Sequence, residues 1–250
     1  DGDGIWEYSL KTRTTQQITA DAKSGLSYNI SPDGKSLVYR RTHQDKSSPG
    51  RKQDIVLTNL AKRSISILAS GSDVSVPTFS NNRPVYSIRS QTVGLQKTGG
   101  TTEAIVLGIE KMRIALIVNG NKTLLDPIGN GSYIWPVLSP DKKQLVAYEM
   151  GKGAFVCDLT GKVQSMLGRR DAPSWTRTAK WIVYMEDKDD GHRMLSSDVY
   201  AVSPDGKTVI QLTSTPSLME LDPICSPTEN RIVCSTGDGS ILLLEYEERP

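Results

Sequence analysis

A chain of 250 residues and 27.4 kDa is too long for a disulfide-stapled miniprotein and long enough to bury a full hydrophobic core. Its 30 Lys and Arg against 28 Asp and Glu leave a formal net charge of +2, so no strong overall field draws it toward nucleic acid or a membrane surface. Hydrophobic residues make up 37% and glycine occupies 21 positions, close to the apolar share of an ordinary folded domain and unlike a disordered chain.

Cys157, Cys225 and Cys234 are odd in number and contain no C-x-x-C, which excludes a thioredoxin-like motif, a zinc ribbon and a dense disulfide framework. No stretch approaches the roughly 18–20 apolar residues of a spanning helix. Asp1-Gly2-Asp3-Gly4 is unlike a basic n-region followed by an apolar h-region, so no direct membrane insertion is expected.

In chain order, Ile5-Trp6-Glu7-Tyr8-Ser9-Leu10 opens as a strand, with Gln16-Gln17-Ile18-Thr19 after it. Then a turn followed by a short apolar run recurs five times. The copies are Ser31-Pro32-Asp33-Gly34-Lys35 before Leu37-Val38-Tyr39, Ser80-Asn81-Asn82-Arg83 before Val85-Tyr86, and Ser139-Pro140-Asp141-Lys142-Lys143 before Leu145-Val146-Ala147-Tyr148. Thr176-Arg177-Thr178-Ala179-Lys180 before Trp181-Ile182-Val183-Tyr184 and Ser226-Pro227-Thr228-Glu229-Asn230 before Ile232-Val233-Cys234 complete the set. Anchor spacings of 49, 59, 37 and 50 residues are near the roughly 40–50 of propeller blades. In the fullest copy Pro presets the first corner, Asp bonds its own backbone and Gly accepts a positive φ at the exit.

The run after each turn is apolar throughout instead of alternating, which implies that both faces are covered. Third strands are expected at 54–60, 154–159, 198–202 and 241–246, and fourth strands are clearest at 16–19 and 209–213. No segment holds a 3.6-residue apolar period. Four antiparallel strands per unit, repeated, predict an all-β fold: a β-propeller of four-stranded antiparallel blades. Arg113–Val118 with Lys122–Asp126 fits a degenerate blade without its turn, which raises five units to six. The prediction is one propeller domain over 1–250, with the first and last segments sharing a blade.

Ser-Pro-Asp-Gly-Lys before an apolar strand, then Asp198-Val199-Tyr200-Ala201-Val202 and Gln211-Leu212-Thr213, resembles the PD40 (WD40-like) repeat of the TolB-type propellers over nearly the whole chain. The resemblance implies an exported, periplasmic or otherwise extracytoplasmic bacterial binding scaffold. Other members of that superfamily are gating propellers of prolyl-oligopeptidase-like enzymes or the body of oligogalacturonate lyases.

Catalytic constellations are sparse. A Gly-x-Ser-x-Gly elbow is missing, so a peptidase reading requires a gating propeller detached from its catalytic half. Ser139-x-x-Lys142 has the spacing of a Ser–Lys dyad but lies in a repeat turn whose sister copies keep the Ser without that Lys. His43 and His192 are the only histidines, too few for a three-His metal centre. Asp187, Asp189 and Asp190 before Gly191 hint at calcium, yet the acidic residue at loop position 12 would be Asp198, which belongs to a strand. Trp175 is expected to pack between blades, as are Trp135 and Trp181, with Trp6 at core or edge. A four-residue turn after Ser226 pairs Cys225 with Ile232, so Cys225 and Cys234 are out of register for a disulfide and are expected as buried thiols.

The polar residues most suggestive of function fall in what are expected to be the two longest loops between second and third strands. Arg41, His43 and Asp45 lie in 41–52, and Asp187, Asp189, Asp190, His192 and Arg193 in 187–193. Arg169 and Arg170 lie between a fourth strand and the next first strand, which a propeller sends to the same face. The basic clusters are short and mixed with acids, which argues against nucleic acid.

The expected role is a non-catalytic scaffold that binds a protein or peptide through this long-loop face and the channel mouth, with no cofactor, metal ligand or catalytic residue assigned. Solvated surface loops are the plainer alternative for these residues. A small-molecule or glycan ligand is compatible with the same face. The other class is a glycan hydrolase or lyase with carboxylates such as Glu186 and Asp189 as acid and base. Paired buried carboxylates or an ordered metal would favour that enzyme.

Overall fold

The computed structural model of the protein describes residues 3–44, 51–89, 91–95, 103–129 and 131–248. Among these residues all regular elements are strands apart from one 3-10 turn at Ser24–Leu26. The chain separates into two compact units, Asp1–Leu107 and Gly108–Pro250.

In the first unit, β1 (Ile5–Ser9) and β2 (Thr14–Thr19) form a two-stranded sheet. A four-stranded sheet follows: β3 (Tyr28–Ile30), β4 (Ser36–Gln44), β5 (Arg51–Asn59) and β6 (Ser64–Gly71). β7 (Thr78–Ser80), β8 (Arg83–Ile88) and β9 (Gln91–Val93) make a three-stranded sheet. β10 (Ala104–Glu110) spans the boundary and shares a sheet with β11 (Arg113–Val118) and β12 (Asn121–Leu125).

The second unit continues with β13 (Tyr133–Leu138), β14 (Gln144–Glu149), β15 (Gly153–Asp158) and β16 (Val163–Gly168). A second four-stranded sheet holds β17 (Asp171–Trp175), β18 (Ile182–Asp189), β19 (Met194–Val202) and β20 (Val209–Gln211). β21 (Glu220–Cys225), β22 (Arg231–Thr236) and β23 (Ile241–Glu245) close the order with three strands. Six sheets of three or four strands thus follow the first hairpin among the described residues, and the degenerate unit is the sheet of β10, β11 and β12.

The unbroken apolar runs exist because one strand serves two neighbours. Ile182 and Tyr184 of β18 pack against Val146, Ala154 and Val156 of the preceding sheet. Val183, between them, points the other way onto Cys225, Ile232 and Cys234. In the first unit Leu37 and Tyr39 meet Ile5, while Val38 meets Phe79 and Tyr86. Each such side chain contributes roughly 1.5–3 kcal/mol of burial free energy, so a polar residue at either parity loses an interface.

The repeat turn is closed by its own polar atoms. Ser31 Oγ donates to Asp33 at 2.6 Å, the Lys35 amide donates to the same carboxylate at 3.1 Å, and the Ser36 amide donates to Ser31 Oγ at 2.9 Å. Ser139–Gln144 and Ser203–Thr208 repeat this pattern, the latter joining β19 to β20. Gly34 takes φ 69°, and Lys142 must take φ 57° at the same point. At Ser80 the turn shortens to two residues, with φ of 44° at Asn81 and 63° at Asn82, as a tight hairpin requires.

A second repeated device bends the opening strands of the second unit. Pro136, Pro173 and Pro223 each lie three residues before an anchor, and the residues ahead of them, Trp135, Ala172 and Asp222, have φ of 49°, 49° and 50°. The register breaks at all three points. Proline has no N–H to give to a ladder, so it is accommodated where the strand bulges.

Candidate functional site: a charged hairpin in the second unit

β18 and β19 are longer than their apolar core needs. Their ladder runs from Ile182↔Val202 out to Asp189↔Met194, so Asp187 and Asp189 are strand residues instead of the expected loop residues. Only Asp190–Arg193 turns. Asp190 caps that turn by accepting from the amides of His192 and Arg193, both at 2.9 Å, and these bonds hold its carboxyl below the usual range. Arg193 stays 80% exposed, 3.8 Å from Asp190.

The same correction applies to 41–52 in the first unit. β4 and β5 remain paired through Arg41↔Asp54, His43↔Lys52 and Gln44↔Arg51. Arg41 and His43 therefore project from a strand, while Asp45 lies outside the described residues. The physical reason is backbone pairing past the point where apolar residues stop, helped in the first hairpin by the opposite charges of Arg41 and Asp54 across the ladder and in the second by Arg169 holding Asp187 and Asp189 from outside it. Composition alone made these segments look like loops.

Around the outer half of β18, three carboxylates converge on one guanidinium. Arg169 donates from Nη2 to both oxygens of Asp187 at 3.0 Å and from Nε to Asp171 at 3.4 Å, and lies 3.6 Å from Asp189. The charge of Asp187 raises the Arg169 pKa. Burial, and then the neighbouring Asp187 carboxyl, raise that of Asp171. Burial, and then the charge of Asp171, push up the Tyr148 phenol of β14.

Arg170 lies beside this network. Its guanidinium is 4.8 Å from the centre of the Tyr184 ring, which stacks on Tyr200 at 5.7 Å. Arg170 Nη1 donates to the Arg169 carbonyl at 2.8 Å and lies 3.8 Å from Glu186, while its buried Nε has no partner among the described residues.

In the first unit, Arg41 is committed to structure. It bridges Asp54 at 3.0 Å and Asp21 at 3.3 Å. Asp54 is buried and also faces His43 Nδ1 at 3.4 Å and the Ser70 hydroxyl. Burial pushes the Asp21 carboxyl up, but hydrogen bonds from Tyr39 and Thr19 and the charge of Arg41 outweigh it and hold the pKa below the usual value. His43 remains open to solvent.

The structure thus gathers Arg169, Arg170, Asp187 and Asp189 along the outer half of the hairpin and puts Asp190, His192 and Arg193 at its tip. Sequence reasoning missed Asp171 and Glu220, which open β17 and β21. It also missed Asp54, which lies opposite Arg41. A signal existed for Asp54: Asp also stands at position 198, opposite Glu186 in the equivalent pair of strands. Glu186 and Asp189 are partly exposed and lean on Arg170 and Arg169. No group of three or more His, Cys, Asp or Glu placed to hold a metal occurs among the described residues.

Trp175 is buried between sheets, donating Nε1–H to the Val137 carbonyl at 3.1 Å. Trp181 is partly buried, whereas Trp135 and Trp6 are exposed at 39% and 59%. Cys225 pairs with Ile232, and all three thiols are free and buried. Burial pushes Cys157 up to about 12 and Cys225 and Cys234 up to about 11.

The fold is that of a β-propeller. The Swd1 (Cps50) β-propeller domain of Myceliophthora thermophila is similar to the chain with a TM-score of 0.64 at 9% identity, over 98% of this chain and 91% of that one. TolB from Acinetobacter baumannii is similar at 0.52 and 20% identity, over 84% of this chain. An oligogalacturonate lyase in complex with manganese is similar at 0.56 and 12% identity, over 97% of this chain and 71% of that one. The chain spans about half the length of the TolB it matches, 48%. No family model matches the sequence, and no curated protein matches it. Among the described residues no helix is long and apolar enough to cross a membrane.

Proposed function

We infer that the protein is a non-catalytic binding scaffold whose β18–β19 hairpin face engages a protein or peptide partner, and that it acts outside the cytoplasm. The observation that carries this reading is Arg169, 58% exposed yet held by three carboxylates. A rigid, solvent-facing array of fixed charge recognises polar groups at low entropic cost. Similarity to TolB supports the extracytoplasmic part.

The Asp171–Asp187 pair is the observation that favours the glycan-processing alternative. Against it, both carboxylates share one guanidinium, whereas glycosidase carboxyls stand about 5–9.5 Å apart to flank a sugar carbon. A pull-down from native extract with wild type and with Arg169→Ala and His192→Ala/Arg193→Ala tests the face. A partner recovered by wild type and lost from the variants is expected, and equal recovery removes the proposal.

A further inference from the structure

Trp135 is displayed where the fold has no need of an indole. It sits at the bulge of β13 with φ 49°, a backbone region that a bulky side chain rarely enters. The equivalent bulges of β17 and β21 are made with Ala172 and Asp222, so the bulge itself asks for no aromatic residue. Burial does not account for it either. Trp175 is covered and gives its Nε1–H to the Val137 carbonyl. Trp135 stays 39% exposed, and its Nε1–H has no acceptor among the described residues.

The ring is nonetheless held in place. It meets Tyr148 of β14 edge to face, with centroids 5.6 Å apart and planes at 73°. Tyr148 in turn packs against the core that holds Trp175, Ile182 and Tyr184 of the next sheet. The aromatic pair is therefore anchored on the side of its sheet that faces β17, and Ala172, at the matching place in that strand, brings only a methyl group.

Charge supplies the other half of the site. β17 opens with Asp171, which together with Asp187 and Asp189 surrounds Arg169, three carboxylates against one guanidinium. Tyr148 lies close enough that, after burial, the charges of Asp171, Arg169 and Asp187 act on its phenol. An indole face beside an excess of carboxylates selects a cation, because the ring quadrupole and the acids pull in the same direction. A neutral sugar would gain only the stacking.

We propose that Trp135 and the carboxylates around Arg169 form a subsite for an arginine side chain of the partner. A guanidinium lies flat on an indole and keeps its N–H groups for carboxylates, which the compact ammonium of lysine does less well. The subsite belongs to the β18–β19 hairpin face and rests on the reading of that face as a partner-binding surface; what it adds is the chemistry of the partner.

The probe is acetyl-Gly-Gly-Arg-Gly-Gly-amide, titrated into the full chain labelled with nitrogen-15 and followed through the indole N–H signals of the four tryptophans. Trp135→Phe assigns the signal of Trp135. A saturable shift of that signal is expected. Binding should be at least about fivefold weaker when citrulline, uncharged and of the same shape, replaces arginine, and should fall as salt is raised. Trp135→Ala should weaken it by at least about fivefold, read from the arginine signals of the peptide, while Trp135→Phe keeps most of it. Ala172 already occupies a matching bulge, so the alanine variant is expected to fold, and the three remaining indole signals check this. Should it not fold, the citrulline peptide reads the site without altering the protein. No saturable shift, equal affinity for the citrulline peptide, unchanged binding in folded Trp135→Ala, or cellotetraose moving the Trp135 signal at lower concentration than the arginine peptide would each overturn the proposal. The peptide reads the subsite with no partner present, whereas the pull-down reads the face through Arg169, His192 and Arg193, so the two can fail separately.

Discussion

Lys142 and Gly34 occupy the same point of the same turn, at φ 57° and 69°. The left-handed region costs a residue with a Cβ roughly 1–2 kcal/mol, partly offset by glycine's larger entropy loss on folding. A Cβ built on Gly34 meets nothing within 4 Å, so Gly34→Ala tests the backbone alone. It should lower stability by about 1 kcal/mol, and Lys142→Gly should raise it by about 0.5–1 kcal/mol. Urea midpoints with unchanged slope would measure both. A neutral pair would mean the turn's side-chain bonds, not its dihedrals, set its worth. The serine, aspartate and glycine of this turn were legible in sequence because each has one local task. The left-handed lysine was not, since nothing in its chemistry announces the conformation.

At the scale of the strand, the apolar runs were legible and the polar ends were not. Leu-Val-Tyr, Ile-Val-Tyr and Ile-Val-Cys gave both the strands and their two covered faces, because burial on alternate sides leaves no polar parity to find. The outer halves of β4 and β18 looked like loops because their cohesion is backbone pairing and ion pairs, which composition does not distinguish from a solvated segment. Prolines three residues before four anchors were visible in the sequence, but only the structure ties those at 136, 173 and 223 to bulges. Trp175 shows what one strand contributes to two sheets. Trp175→Ala should cost about 3–5 kcal/mol, while Trp6→Ala, at 59% exposure, should stay within about 0.5 kcal/mol. Circular dichroism in urea distinguishes them, and similar losses at both positions would contradict the packing described.

For the molecule as a whole, fold class and number of sheets followed from repetition, whereas the charged site depended on which acids meet which bases. That is a property of neighbouring sheets, invisible along one chain. It also sets the acid response. Asp171 has a raised folded pKa, so its stabilising contribution is fully present below the unfolded value of 3.8 and is lost as pH rises through the folded value. Asp21 is lowered, so its contribution is present above 3.8 and is lost as pH falls through its folded value. Asp171→Asn should therefore gain stability relative to wild type as pH rises from about 3 to 7, and Asp21→Asn should lose it as pH rises toward 3.8. Urea titrations across that range give the two slopes, and slopes of the same sign would mean the pairings are wrong.

Strands that answer to two neighbours also guard their own alignment. Slipping by a single position would hand every side chain to the wrong neighbour on both sides at once, a double penalty that no turn sequence has to prevent. Duplicated copies could therefore let their connecting loops drift, as those at Ser80 and Thr176 have, without losing their place in the series.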